Sequence, residues 1–324
     1  MFMTNPVCGD ATGTAAGIAT GRRDKCMNKL PDHGALVLTF RPMMSSLVRI
    51  LLLAAGLLPC LAAAAGAGGY ERVRIALDDV QLNAVLYRPQ GPGPFPAVVA
   101  LHGCGGLWRD KDKLSTRHSD WGERLAAAGF MVLMPDSYGS RGLGSQCGVK
   151  ELTVRASRER VIDAVAARHW LQARPDVRAD AISLLGWSGG GSTILAAVRS
   201  DRSPADKQLD FKRAVAFYPG CRTQLESRSF AARLPVLILM GSADDWTPPA
   251  PCDYLAKAAR ARGESVNLVV YEGAVHDFDH PRLDMKQRDD IAYSATGTGK
   301  ATVGTDPAAR EDAIRRVKEF LAGK

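Results

Sequence analysis

Ser188 lies in the pentapeptide Gly186-Trp187-Ser188-Gly189-Gly190, directly after the apolar run 182–185 and before the small-residue, helix-compatible stretch 192–198. This Gly-x-Ser-x-Gly layout is the sequence form of a nucleophile elbow. A sharp strand-to-helix turn pushes the serine hydroxyl out above a sheet, and flanking glycines are needed because a Cβ there would strike neighbouring backbone. The helix that follows directs free N–H groups and the positive end of its dipole at any oxyanion forming beside the serine. An ordinary Gly-rich turn can carry the same five residues, and this chain has 32 glycines. The chemistry therefore depends on whether a base, an acid and oxyanion donors accompany the serine.

The sequence supplies all three. After the apolar run 236–240 comes Gly241-Ser242-Ala243-Asp244-Asp245-Trp246-Thr247-Pro248, and after the run 266–271 comes Glu272-Gly273-Ala274-Val275-His276-Asp277-Phe278. A serine hydroxyl becomes nucleophilic when an imidazole takes its proton, and the imidazole needs a carboxylate on its other nitrogen. The order Ser188, Asp244 or Asp245, His276 is that of the α/β-hydrolases. The Gly-x-x-Asp spacing, with proline four residues later, favours Asp244 as the acid and leaves Asp245 as a turn or cap residue. The run 97–101 ends in His102-Gly103-Cys104-Gly105-Gly106, a loop of the type that gives one oxyanion amide, the other following the nucleophile. The donors would be the backbone N–H groups of Cys104 and Gly189. Trp187, Trp246 and Trp108 would also lie near the strand ends, as packing around the elbow or as walls of an acyl pocket.

Such residues must be held at the carboxyl ends of neighbouring strands. Short continuous apolar runs at 97–101, 130–134, 182–185, 214–217, 236–240 and 266–271 suit strands buried on both faces of a parallel sheet. Helical patterns fall between them at 121–128, 154–172, 192–198 and 254–262, with a closing one at 309–322. Residues 70–76 and 80–87 alternate as an opening hairpin turned at Asp78-Asp79. The alternation predicts an α/β fold, with a mostly parallel central sheet of about eight strands and helices on both faces. Ligand sites of such sheets lie beyond the carboxyl ends of the strands, where Ser188, Asp244 and His276 fall.

The N-terminal part of the chain stands apart from this pattern. Residues 43–49 carry one positive charge, residues 50–58 are compactly apolar, and Ala63-Ala64-Ala65 offers a cleavage site, together predicting a signal peptide over 43–65. Residues 1–42 precede it without periodicity and are expected to be a mis-called upstream segment, leaving 66–324 as one domain. A periplasmic or secreted location follows, with no membrane attachment after cleavage. Cys104, Cys147, Cys221 and Cys252 then remain in an oxidising compartment, where disulfides are expected and three pairings are open. The 42 Lys and Arg against 34 Asp and Glu are scattered, without the basic stripe and interleaved aromatics of a nucleic-acid binder. His276 and His280 share no helical face and predict no metal site, and Gly297-Thr298-Gly299-Lys300 lacks the leading glycine and the Ser/Thr of a phosphate loop. No cofactor is expected.

The motifs at 101–106, 135–142, 186–190, 218–221, 241–248 and 273–278 together resemble the dienelactone hydrolase family of α/β-hydrolases over residues 70–324. The resemblance implies a metal-free hydrolase of small-molecule esters or lactones, and it offers Arg141 as the match for the family's substrate-carboxylate arginine, at a spacing one residue off. The departures are specific. Ser188 stands where dienelactone hydrolases carry cysteine, Gly103 replaces an acidic residue, and His280 replaces an arginine. They point to an exported serine esterase working through an acyl-serine, with the alternatives of a peptidase or polyester hydrolase on the same fold, or a non-catalytic binding member. Sequence leaves the substrate and the oligomeric state open.

Overall fold

The computed structural model describes residues 69–324 apart from 228 and 229. The expected signal peptide and the segment before it lie outside the described residues. The chain runs through β1 (Glu71–Leu77), β2 (Val80–Tyr87), β3 (Phe95–Leu101), a small ribbon of β4 (Trp108–Asp110) and β5 (Lys113–Leu114), α1 (Thr116–Ala127) and β6 (Met131–Pro135). It continues through α2 (Glu159–Gln172), β7 (Val177–Trp187), α3 (Gly189–Ala197), β8 (Ala214–Phe217), α4 (Arg222–Glu226), β9 (Val236–Gly241) and α5 (Pro249–Ala261). Last come β10 (Val266–Tyr271), the short pair β11 (Lys286–Arg288) and β12 (Ala301–Val303), and α6 (Pro307–Ala322).

Eight strands form one sheet in the order β1-β2-β6-β3-β7-β8-β9-β10. The first two are the expected hairpin, paired from Glu71 opposite Leu86 to Leu77 opposite Val80, and β2 is antiparallel to β6. From β6 to β10 every neighbouring pair is parallel. Continuous burial along β6, β8 and β9 explains their unbroken apolar runs, because helices leave neither face to water. β10 is an edge strand whose Val270 is 43 % exposed, so its apolar run reflects a half-covered position. The fold is therefore the α/β architecture expected from the sequence.

Local chemistry sets the helix ends. Ser115 caps α1 through the His118 amide, and Asp306 caps α6 through the Ala309 amide, with Pro307 suited to the first turn. The first turn of α1 is polar, which is why hydrophobic periodicity located its start too late. Between β10 and α6 the chain makes an arm containing β11 and β12. Ile291 and Ala301 of this arm pack on Cys147 in a small cluster of their own, against which Cys104 and Trp246 also lie. This arm and the ribbon carry too few apolar residues to show a periodicity in sequence.

Candidate active site

Ser188 directly follows β7 and stands at the N-cap position of α3 with φ 51° and ψ −114°, a conformation side-chain-bearing residues rarely adopt. Close packing imposes it. A Cβ at Gly190 would come 2.0 Å from the Leu101 carbonyl oxygen, and one at Gly186 would come 2.7 Å from the Gly190 carbonyl carbon. Only glycines allow α3 to start directly against the ends of β3 and β7, which leaves the serine on the crest of the turn. Its amide donates to the Phe217 carbonyl at 2.9 Å, tying the elbow to β8.

Asp244 follows β9 and is 3 % exposed. Its Oδ1 accepts from the amides of Trp246 (2.9 Å) and Thr247 (2.8 Å), which orient the carboxylate. Oδ2 lies 2.8 Å from Nδ1 of His276, on the loop after β10. A carboxylate that already accepts amides only accepts here as well, so Nδ1 carries the imidazole proton and Nε2 presents the lone pair. Nε2 is buried and has no hydrogen-bond partner among the described residues. Burial pushes the His276 pKa down, but the adjacent Asp244 carboxylate more than offsets this, and the net shift is upward. The rings of Tyr218 and Trp246 stand 4.4 and 4.7 Å from the imidazole. Asp245 faces elsewhere: it accepts from the amide and hydroxyl of Thr302 at 2.7 and 3.0 Å, holding β12.

The loop after β3 has its own buried support. His102 is fully buried and its Nε2 accepts from the Ser137 amide at 3.1 Å, so Nδ1 must donate to the Gly103 carbonyl, 2.8 Å away. Burial, with the Arg160 guanidinium adding to it, holds the His102 pKa well below the ordinary imidazole range. The ring is therefore neutral, and its 3.9 Å approach to Asp136 is no ion pair. The Gly103 carbonyl belongs to the same peptide unit as the Cys104 amide, so the His102 bond polarises that N–H and fixes its direction. A Cβ built on Gly189 would lie 3.7 Å from the Cys104 nitrogen, so the Gly189 backbone and the Cys104 amide are close neighbours. Cys104 is disulfide-bonded to Cys147, and Cys221 to Cys252, which selects one of the three pairings left open by sequence.

Two expected substrate contacts are otherwise engaged. Arg141 makes a two-pronged pair with Asp163 (2.9 and 2.7 Å) and also donates to the Ser137 carbonyl, so its guanidinium braces a loop and is not free for a ligand. Trp187 is fully buried beneath the elbow, where no substrate reaches it. Trp246 is half-buried beside His276 and remains available as a wall. Sequence reasoning passed over Asp279, the centre of the site's buried scaffold. One of its oxygens accepts the indole N–H of Trp121 (2.7 Å) and of Trp187 (2.8 Å), and the other accepts the Tyr218 hydroxyl. Arg117 lies 3.3 Å from Asp279 and 2.6 Å from Asp277. One carboxylate thus ties α1, the elbow, the end of β8 and the His276 loop together. The only trace in sequence was the density of charge and aromatic character in His276-Asp277-Phe278-Asp279.

The dienelactone hydrolase family profile matches residues 82–323. The chain belongs to the dienelactone hydrolase family. Among curated relatives, a probable 2-oxo-3-(5-oxofuran-2-ylidene)propanoate lactonase of Bradyrhizobium is 26% identical over 226 residues, 63% of this chain and 84% of the relative. A putative carboxymethylenebutenolidase of Methylorubrum extorquens is 29% identical over 222 residues, 64% of this chain and 71% of the relative. Among solved structures, a putative dienelactone hydrolase from Klebsiella pneumoniae superposes with a TM-score of 0.58 at 19% identity, covering 79% of this chain and 99% of that one. Esterase 2 of Thermogutta terrifontis, with butyrate bound, gives 0.55 at 22% identity over 80% of this chain and 95% of that one. Membership of this family makes the protein a hydrolase acting on ester bonds.

Proposed function

We propose that this dienelactone hydrolase family member is an exported serine hydrolase that cleaves small carboxylic esters or lactones through an acyl-serine intermediate. The observation that carries the reading is the Asp244–His276 pair, which leaves His276 Nε2 as a buried base without a hydrogen-bond partner among the described residues, on a loop after a parallel strand of the sheet whose β7 leads into Ser188. Ser188 Oγ attacks the acyl carbon while Nε2 takes its proton, and Asp244 stabilises the imidazolium that forms. The negative oxygen of the tetrahedral intermediate is received by the amides of Cys104 and Gly189. His276 then returns the proton to the leaving alkoxide, or to the lactone's own ring oxygen. A water activated by the same nitrogen releases the acid and regenerates the serine.

Lactones are included because the two curated relatives are named as a lactonase and a carboxymethylenebutenolidase. Export is supported by the leader-like composition of residues 43–65 and by two disulfides, bonds that persist in oxidising compartments. Among the described residues no helix is long and apolar enough to cross a membrane. A fluorophosphonate probe followed by peptide mass spectrometry tests the nucleophile. Wild type is expected to be labelled on Ser188 and Ser188→Ala to be unlabelled and inactive on p-nitrophenyl acetate; label elsewhere, or an active Ser188→Ala, would refute the assignment.

A further inference from the structure

Behind the oxyanion loop, in the first turn of α2, lies Arg160, whose side chain is fully buried. Its Nη2 donates to the His102 carbonyl, and its guanidinium stands 5.1 Å above the Tyr138 ring. Among the described residues Nε and Nη1 are buried without a hydrogen-bond partner. Other part-buried arginines of this chain have carboxylates at hand: Arg141 has Asp163, and Arg168 and Arg233 share Asp210. Among the described residues Arg160 has no ion pair. An arginine does not shed its proton to escape this situation. The buried Asp136 carboxylate acts on the guanidinium through space but makes no ion-pair contact with it. A buried charge without a contacting counter-charge is among the most costly groups a fold can hold, so it calls for a cause.

The position of Nη1 supplies the cause. A Cβ on Gly189 would fall 3.3 Å from Nη1 and 3.7 Å from the Cys104 amide nitrogen. The bare glycine lets the cation approach the Gly189 backbone close to the Cys104 amide. We propose that Arg160 is a positioning residue of the oxyanion site, holding the His102 carbonyl and thereby the Gly103–Cys104 peptide, and placing its unpaired positive charge behind the developing oxyanion. The proposal rests on the acyl-serine reading. A close counter-charge then arrives only when the tetrahedral intermediate forms. A charge left unpaired in the resting enzyme and paired in the intermediate favours the transition state over bound substrate, and so acts on kcat more than on KM.

Two variants separate charge from strut. Arg160→Lys keeps the cation, whereas Arg160→Gln keeps a donor for the His102 carbonyl and loses the charge. Each is assayed for kcat and KM on neutral and anionic p-nitrophenyl esters, and for inhibition by a neutral trifluoromethyl ketone, whose serine adduct is itself an oxyanion. Arg160→Gln is expected to lose on the order of 100-fold in kcat, with KM within about threefold, and to lose ketone affinity by a similar factor. Arg160→Lys is expected to recover at least about tenfold of the kcat. If Arg160→Gln does not fold, Arg160→Met, which fills the volume without charge, takes its place. The proposal is overturned by wild-type kcat in the neutral variant, by Arg160→Lys falling equally far, or by a loss confined to the KM of anionic esters. That last result would make Arg160 a clamp for substrate carboxylates. The nucleophile reading fails separately, if the ketone does not inhibit wild type or Ser188→Ala still turns over ester.

Discussion

At His276 two opposed effects set the pH behaviour. Burial favours the neutral ring, while the Asp244 carboxylate favours the cation, and the balance leaves the pKa above the ordinary imidazole value. The base form is the deprotonated one, so kcat/KM is expected to rise with pH through a midpoint above about 6.5, the unperturbed value for histidine. Asp244→Asn removes the raising influence and the proper tautomer together. A fall in kcat of roughly three to four orders of magnitude is expected, with the surviving activity titrating at lower pH. A pH–rate profile of both proteins checks this, and an unmoved midpoint would count against the pairing. Asp245, one residue on, is expected to behave differently: Asp245→Ala frees β12 and lowers the melting temperature, while kcat stays within about tenfold, because Asp245 does not touch His276.

Among the elements, α1, the elbow, β8 and the His276 loop converge on Asp279. Replacing it by asparagine turns one acceptor oxygen into a donor facing indole N–H groups or the Tyr218 hydroxyl, and strips Arg117 of part of its counter-charge. A loss of about 3 kcal/mol or more is expected from urea unfolding, with the site distorted before the sheet unfolds. The elements most legible in sequence were those marked by unbroken apolar runs. β8 and β10 coincide with the apolar runs 214–217 and 266–271, and the loops after β7, β9 and β10 carry the motif residues. Less legible were contacts between segments distant in sequence. The pairing of Arg141 with Asp163 and the burial of Trp187 depend on how helices and loops fold back, which local patterning does not encode. Asp279 was missed for the same reason: its partners come from residues 117, 121, 187 and 218.

For the molecule as a whole, two disulfides tie the loops at the strand ends to their surroundings. Cys104–Cys147 joins the loop after β3 to the segment whose Cys147 carbonyl accepts the Ala292 amide of the arm at 2.7 Å. Replacing both cysteines by serine is expected to cost about 2–4 kcal/mol in stability. It is also expected to reduce kcat more than KM, because the loosened peptide carries the Cys104 amide while Ser188, His276 and Asp244 stand on other segments. Titrating the native enzyme with a strong thiol reductant and following turnover against free thiol gives the check; full activity in the reduced state would free the loop from this role.

That bond also bears on when the protein begins to work. A newly made chain kept reduced could assemble its sheet, its elbow and its Asp244–His276 pair, yet it would hold a slack receptacle for the oxyanion. Closing a single sulfur–sulfur bond, a step external to the ester chemistry, would then complete the centre. For an enzyme exported as proposed above, the arrangement would keep the hydrolase latent until it reached an oxidising space.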